Sequence, residues 1–310
     1  MKTIGLLVGR ERSFPSALIA AIAERDVGVV ASYAELDITR VHAPPAYDVL
    51  LDRISHDVPC YQPILKLAVL NGSRVVNNPF WRIADDKAFG TALAQRLGVP
   101  VPKTAVLPQK SYGPDLIGAS LSNLRFPLDW EGLERDLGFP MYLKPHWGGG
   151  FKDVYKVHDH DELLQVYDRT GTLVMIAQES IEWTQYVRCV VVGKTEVLTL
   201  PWDPTLSHFA RYKHAASSMP PLSPELVAII EAHARNLCDA LGYDMNTVEF
   251  AVRDGVPYAI DFMNSAPDFD ISSLGEKSFR WVVEKMADLL VGLAQQPRRT
   301  LLRWDEVLRA

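Results

Sequence analysis

Cysteine is scarce in this chain of 310 residues: there are three, Cys60, Cys189 and Cys238, too far apart to form a CxxC metal or redox motif. Their odd number favours a reducing compartment. No stretch approaches the ~18 uncharged apolar residues of a membrane span. The first apolar run ends at Val8 and is followed at once by charged residues, unlike a secretory signal peptide. We therefore expect a cytoplasmic protein with no membrane partner.

Positive charge is not in excess either, because 32 Lys and Arg residues face 38 Asp and Glu residues, a net charge of −6. No global positive field is available to hold a nucleic acid, although a small anionic ligand could bind locally. Internal repeats, low-complexity tracts, a Walker loop and any supported Ser-His-Asp or Cys-His set are also missing. The remaining composition, 48% hydrophobic and 23% charged, is typical of a folded protein of about two domains.

Helical and strand periodicities alternate along the chain. In the first 84 residues they predict strands at 3–8, 27–33, 47–51 and 75–78, with helices at 13–28 and 59–72. This order is typical of an α/β domain with a parallel sheet. Beyond it we predict helices at 85–98, 129–138, 159–169, 224–241 and 272–293, strands at 172–178 and 186–192, and hairpins at 141–157 and 246–262. Residues 109–127 show no clean period and are predicted to form a long loop.

A lysine followed by a glycine turn is the most informative motif, in MYLKPHWGGGFKDVYKV. Lys144 ends one predicted strand, and Gly148, Gly149 and Gly150 lead to the next. Glycines let backbone N–H groups approach phosphate oxygens, and a lysine supplies a point charge for them. The alternative is an ordinary hairpin with a flexible tip. Lys87, in the first turn of a predicted helix, also favours a nearby anion, because the helix dipole there repels a cation.

A second motif, NTVEFAVRDGVPYAIDFMNSAPDFD, places Glu249, Asp261 and Asn264 on or after the two strands of a hairpin. Carboxylate and amide oxygens are the ligands that Mg²⁺ prefers. The alternative is that Glu249 lies on a solvated strand face, since it alternates with Val248 and Phe250.

In this order the segments DDKAFGTALAQRLGVPVPKT, YLKPHWGGG, AQESI, and VEF with IDFMNSAPD resemble the ATP-grasp superfamily, which includes glutathione synthetase, D-alanine:D-alanine ligase and peptide-extending glutamate ligases. The resemblance implies an α/β (α+β) fold, with an N-terminal parallel-sheet pre-ATP-grasp domain followed by a two-lobed ATP-grasp domain. The implied divisions are residues 1–84, a small lobe with the glycine-rich loop at 85–180, and a large lobe with the metal site at 181–310.

The same resemblance implies a role for each matching residue. Lys87, Lys144 and the glycines 148–150 would contact the phosphates of ATP, and Gln178, Glu179 and Ile181 would form the linker that pairs with adenine. Because Tyr186 stands where the family usually has an acid, either Glu182 would bind the ribose or ribose binding differs from that of the family. Mg²⁺ would be held by Glu249, Asp261 and Asn264, with Asp268 and Asp270 as substitutes for Asp261. Arg188 matches an arginine of the peptide-extending ligases.

Other residues allow two interpretations. Arg211 and Lys213, with His208 and His214, could bind the transferred phosphate or an acidic substrate, or belong to a solvated strand. Arg53, at a strand end, could face a ligand or form a surface salt bridge. Residues 13–16 could bind an anion at a helix N-terminus or cap it. Residues 158–162 (HDHDE) could hold a metal, but the acidic first turn of a helix favours a solvated cap.

The function implied is an ATP- and Mg²⁺-dependent carboxylate–amine ligase acting through an acyl phosphate. Its substrates would be an amino acid, a peptide or a small carboxylic acid. The alternatives are a small-molecule kinase on the same fold and a nucleotide-binding regulatory protein without turnover. Oligomeric state stays open, with a homodimer as the commonest assembly.

Overall fold

The computed structural model describes residues 1–81, 86–116, 118–206, 211–212 and 219–296. Its contacts group the chain into two compact units. Unit 1 consists of Met1–Ile83, Tyr186–Glu249 and Asn264–Ala310, and unit 2 of Ala84–Gln185 and Phe250–Met263. Each unit is therefore assembled from segments that are distant in sequence.

The strands and helices follow one another along the whole chain. In chain order they are β1 (Lys2–Leu7), α1 (Ser13–Glu24), β2 (Val29–Tyr33), β3 (Val49–Asp52), α2 (Tyr61–Asn71), β4 (Arg74–Val76), α3 (Lys87–Arg96), β5 (Thr104–Leu107), α4 (Trp130–Leu137), β6 (Met141–Pro145), β7 (Tyr155–Val157), α5 (His160–Arg169), β8 (Met175–Glu179), β9 (Gln185–Val192), β10 (Glu196–Pro201), α6 (Pro224–Leu241), β11 (Met245–Arg253), β12 (Val256–Asp261) and α7 (Ile271–Gln295). A short 3-10 helix, Gly118–Leu121, lies in the predicted long loop.

Three four-stranded sheets organise these elements. The first has the strand order β2-β1-β3-β4 with parallel pairing, which confirms the predicted parallel sheet. The second has the order β5-β8-β6-β7 and is antiparallel, with Met141 opposite Val157 across the predicted hairpin. The third has the order β10-β9-β11-β12. The mixed α/β fold class predicted from the sequence is confirmed.

The turn between β11 and β12 has the backbone that its sequence predicts. Asp254 and Gly255 have φ angles of +53° and +75°. Two consecutive residues with positive φ form the turn whose twist matches that of the flanking strands, and Asp-Gly is a preferred pair for it. The hairpin therefore returns β12 directly along β11.

Each unit has its own apolar core. In unit 1, side chains of β1, α1 and α7 bury one another, with Ile4, Leu18 and Met286 each 0% exposed. In unit 2, Met141, Leu143 and Leu163 form a core under the antiparallel sheet. The terminal helix α7 is thus part of the N-terminal core, not an appendage. Among the helices of the described residues, none combines the length and apolar character needed to cross a membrane.

Two expectations for unit 1 are wrong. Arg53 does not form a surface salt bridge: its side chain is 1% exposed and pairs with Glu11 between the rings of Phe14 and Phe269. Ser13 does not cap α1, whose N-cap residue is Arg12 without a side-chain bond. The Ser13 hydroxyl instead donates to Asp270 (2.8 Å) and accepts from the backbone N–H of Ile271 (3.1 Å).

The acidic cluster at 158–162 is a helix cap, as its sequence favours. Asp159 is the N-cap residue of α5 and accepts from the backbone N–H of Glu162 at 2.9 Å. His158 and Glu162 are exposed and bond to each other. Within the described residues, no group of three or more His, Cys, Asp and Glu side chains is arranged to hold a metal ion.

Candidate nucleotide and metal site

The glycine loop of unit 2 follows the end of β6. Lys144 is half-buried and lies opposite Ile176 of β8. Residues 147–151 are exposed, and Gly148 and Gly150 have φ angles of +99° and +71°, which favour glycine over any side chain with a Cβ. A strand therefore delivers a lysine to an exposed loop with accessible backbone N–H groups.

Lys87 is brought to this loop by the first turn of α3. Its backbone N–H donates to the carbonyl of His146 at 2.9 Å, and its ammonium donates to the carbonyl of Gly148. Asp86 caps α3 and lies 3.3 Å from Nδ1 of His146. Two segments more than fifty residues apart in sequence thus place Lys87 beside the glycines that follow Lys144. A phosphate bound at this loop would replace the carbonyl as the partner of the ammonium.

The predicted adenine linker begins in the last two residues of β8 and continues beyond the strand, in the same unit. Gln178 is buried and donates to the Thr104 hydroxyl at 2.9 Å. Glu179 pairs with Arg253 at 2.9 Å and accepts from the backbone N–H of Lys103. The hydrogen bonds that Arg253 donates to Tyr258 and Glu179 raise the pKa of its guanidinium. Both linker side chains are therefore engaged with protein groups.

The last two linker residues differ in exposure. Ile181 is 7% exposed and Glu182 is exposed. Glu182 is therefore the one carboxylate of residues 178–182 that faces solvent at the end of this linker.

Glu249 lies in unit 1 on β11. The alternative prediction, that it lies on a solvated face of the strand, is wrong, because the residue is only 7% exposed. Its position beside β9 explains the burial, since the third sheet places these strands next to each other. The Tyr186 hydroxyl donates to Oε2 of Glu249 at 3.0 Å, and Nε of Arg188 lies 3.5 Å from Oε1. Tyr186 and Arg188 share one face of β9 because they are two residues apart.

Arg188 is held by groups on several sides. Nη2 donates to the Thr247 hydroxyl at 3.0 Å and Nη1 to the Tyr212 hydroxyl at 3.4 Å. The guanidinium carbon lies 4.5 Å from the centre of the Trp202 ring, within the range of a cation–π contact. Burial raises the pKa of the Tyr212 hydroxyl, against the opposing effect of Arg188, so this phenol stays neutral at physiological pH.

Arg211 also contacts Trp202, with 5.3 Å between its guanidinium carbon and the ring centre. Its Nε donates to the carbonyl of Leu206 at 3.0 Å. Two guanidinium groups therefore lie near one buried indole. The remaining members of the predicted basic cluster, Lys213, His208 and His214, lie outside the described residues.

The other predicted metal ligands are distributed along the segment that follows Glu249. Asp261 is exposed at the end of β12 in unit 2. Asn264 belongs to unit 1, where its backbone N–H donates to Oδ1 of Asn246 on β11 at 2.8 Å. Glu249 and the amide of Asn264 fit Mg²⁺ by the chemistry of their donor atoms, since both offer hard oxygens.

The two substitutes for Asp261 are bound to the start of α7. Asp270 is its N-cap residue, and the backbone N–H of Ser272 holds the pKa of its carboxyl below the usual range. Asp268 accepts from the backbone N–H of Asp270 and from the Ser273 hydroxyl. Their carboxylates therefore have a structural role at this helix terminus.

Sequence reasoning did not single out Trp202 or Tyr212, and it did not predict that Tyr186 binds Glu249. The two-residue spacing of Tyr186 and Arg188 on one strand was the available signal. This spacing predicts that the two side chains share one face of the strand, but it does not predict which strand lies opposite them. Trp202 follows β10, a strand without clear alternation, and carries no signal of its own.

Three comparisons relate the chain to known proteins. No family model matches the sequence. D-alanine–D-alanine ligase B of Chromobacterium violaceum is 29% identical over 129 residues, which cover 41% of this chain and 37% of that protein. The chain thus matches little more than a third of this curated relative's length.

Solved structures match over nearly the whole chain. D-alanine–D-alanine ligase from Bacillus anthracis complexed with ATP has a TM-score of 0.63 at 18% identity, covering 94% of this chain and 96% of that one. Macrocyclase MdnC of Microcystis aeruginosa, bound with its precursor peptide, has a TM-score of 0.66 at 14% identity, covering 94% and 100%. The resemblance carried by the sequence motifs is confirmed at the level of the fold: the chain has the fold of the ATP-grasp ligases.

Proposed function

We propose that this protein is an ATP- and Mg²⁺-dependent carboxylate–amine ligase that acts through an acyl phosphate. The observation that carries the proposal is the contact between the Lys87 ammonium and the glycine loop that follows Lys144. A lysine ammonium beside a run of exposed glycines, with a second lysine on the strand that precedes them, suits a polyphosphate. The ligase fold of the structural neighbours supports the nucleotide assignment.

In this proposal ATP is bound by unit 2. Lys87, Lys144 and the glycines 148–150 neutralise and orient its phosphates, and backbone groups of the linker around Gln178, Glu179 and Ile181 pair with adenine. Glu182 accepts from the ribose hydroxyls. Phosphoryl transfer asks little covalent chemistry of a protein, so positioning and charge neutralisation are sufficient.

Other residues supply the groups for the substrate and the metal: Arg188, Arg211, Glu249 and Asn264 belong to unit 1, and Asp261 belongs to unit 2. Arg188 and Arg211, with Lys213 as a further candidate, hold the substrate carboxylate and stabilise the charge that develops on the transferred phosphoryl group. Glu249 and Asn264, together with Asp261, hold Mg²⁺, which neutralises the phosphate oxygens when bound. A carboxylate oxygen of the substrate attacks the γ-phosphorus of ATP, the bond to the β-phosphate oxygen breaks and ADP leaves, which gives the acyl phosphate. The amine nitrogen then attacks the acyl carbon, the bond from that carbon to the phosphate oxygen breaks, and the amide, inorganic phosphate and a proton are released.

An amino acid or a peptide is the proposed substrate class. Among the relatives, one is a ligase of D-alanine and another is bound with a precursor peptide. Fold likeness alone carries no substrate information, so the class rests on these relatives and on the two guanidinium groups beside Trp202.

Thermal unfolding with ATP and excess Mg²⁺ tests the nucleotide site. Ligand at about 100 times its Kd is expected to stabilise the native state by about 2.7 kcal/mol, and Lys144→Ala is expected to lose most of this shift. Lys156→Ala, an exposed lysine on the neighbouring strand β7, is the matched control and should keep it. A wild type that shows no shift would contradict the proposal.

Ribose recognition by Glu182 predicts a preference for ATP over 2′-deoxyATP. A carboxylate that accepts from both hydroxyls loses one hydrogen bond when the 2′-hydroxyl is missing, which corresponds to about a tenfold weaker binding. Glu182→Ala should bind the two nucleotides equally well, measured by calorimetric titration. A preference that persists in this variant would place ribose recognition on another residue.

A further inference from the structure

The hydroxyl of Tyr186 lies against a functional group, the carboxylate of Glu249. The Oη–Oε2 distance is 3.0 Å, and both residues are buried, with 5% and 7% of their surface exposed. The main chain holds Tyr186 in this place, because its carbonyl accepts from the backbone N–H of Trp202 at 3.0 Å as β10 ends. The ring therefore points from β9 across to β11 with little freedom to turn away.

We propose that Tyr186 is a positioning residue that orients the Glu249 carboxylate for its divalent cation. The inference rests on the proposed function, since it takes Glu249 as a magnesium ligand. It assigns to Tyr186 a role different from the ribose contact that the family resemblance suggests for this place in the chain.

The two ends of the carboxylate are held by different groups. Tyr186 donates to Oε2, and Arg188 faces Oε1 at 3.5 Å. A carboxylate oxygen that accepts a hydrogen bond can still bind a cation through its second lone pair, so a bond from Tyr186 that fixes the plane of the group is compatible with metal binding. A hydrogen-bonded ligand needs no reorientation when the cation arrives, and such outer partners affect metal affinity strongly.

A phenol suits this role better than an acid would. The Tyr186 hydroxyl is a neutral hydrogen-bond donor. It fixes the Glu249 carboxylate without adding a second negative charge to the buried site. A carboxylate at this position would have no proton to donate and would repel Glu249. The tyrosine thus holds Glu249 without itself adding to or cancelling the charge of the carboxylate.

The test is the Mg²⁺ dependence of ATP-induced stabilisation, together with direct Mn²⁺ binding by electron paramagnetic resonance. Tyr186→Phe removes one hydroxyl and is expected to raise the half-saturating concentration of either cation about tenfold. Tyr167→Phe is the matched control, because it also removes one buried hydroxyl, which donates to the Pro108 carbonyl at 2.9 Å in unit 2. The control should bind both cations as the wild type does.

A purely structural role for the hydroxyl would lower the melting temperature of both variants without changing cation binding, and that result would overturn the inference. A variant with 4-aminophenylalanine at position 186, which restores a donor at the same reach, should regain most of the affinity. If Tyr186→Phe does not fold, the variants with 4-aminophenylalanine and with 4-methylphenylalanine at position 186 give the same comparison, because only the first has a hydrogen-bond donor. Equal cation binding by these two variants would overturn the inference.

Glu249→Gln separates this inference from the proposed function. When this variant loses cation affinity and Tyr186→Phe does not, the positioning role alone fails. When Glu249→Gln binds cations like the wild type, the metal assignment of the proposed function fails, and the positioning role fails with it.

Discussion

Replacing Arg53 by alanine is expected to lower the free energy of unfolding by about 3–5 kcal/mol, the cost of breaking a buried ion pair by removing one partner. The Arg53 guanidinium is almost fully buried, donates to Glu11 and to the carbonyl of Pro267, and lies 4.8 Å from the ring centre of Phe269. Its removal leaves Glu11 without its partner and opens a cavity beside two rings. Chemical denaturation of the purified variant measures the change.

Lys2→Ala is the control for this prediction. Lys2 pairs with Asp48 at 2.7 Å, but its side chain is 54% exposed. Exposed ion pairs contribute about 0–1 kcal/mol, so this variant should unfold near the wild-type midpoint. If both variants lost the same free energy of unfolding, the buried ion pair of Arg53 would contribute no more to stability than the exposed pair of Lys2.

Arg188→Ala is expected to reduce ligase turnover about 10²–10³-fold while ATP binding is retained. In the proposed function Arg188 stabilises charge that develops on the reacting carboxylate and phosphoryl group, whereas ATP is held by unit 2. Turnover is measured as ADP release with the amino acid, peptide or small carboxylate that the wild type uses fastest. ATP binding is followed separately by the thermal shift at a Mg²⁺ concentration that saturates the variant, because Arg188 also contacts Glu249.

Arg280→Ala controls for the loss of an arginine, because Arg280 is 72% exposed and pairs with Glu276 on the same helix. It should retain wild-type turnover. Hydroxylamine added to the wild-type reaction should trap the acyl phosphate as a hydroxamate. Phosphate transfer to a substrate hydroxyl without any hydroxamate would support a kinase instead, and Arg188→Ala turnover within threefold of wild type would contradict the assigned role.

Much of the fold could be predicted because its start and stop signals are local. The helix α6 has Ser223 as its N-cap residue, Pro224 at its first position and Gly242 after its last, and the predicted bounds 224–241 are those of the structure. The strand β10 could not be predicted, because most of its side chains are half-buried and show no apolar alternation. The strand conformation of β10 comes from its antiparallel pairing with β9, and no local sequence pattern encodes that pairing.

The candidate site was only partly predictable for a related reason. Motifs identify Lys87, Lys144 and Glu249 by residue type and spacing, but the partner of each side chain comes from a distant segment. Tyr186 and Glu249 are 63 positions apart, and alternation along β11 gives the face of Glu249 without saying what covers it. The buried ion pair of Arg53 likewise depends on Phe269, a contact formed only by the folded chain.

The place of α7 in the N-terminal core has a consequence for synthesis on the ribosome. The first 81 residues contain the complete parallel sheet, yet the helix that covers β1 and α1 is translated more than 180 residues later. Arg25 can form its ion pairs with Glu284 (2.9 Å) and Asp288 (2.7 Å) only after both of these residues have been translated. During elongation the core beside this sheet must therefore remain incomplete, with apolar surface open to solvent or to a chaperone, until α7 has emerged.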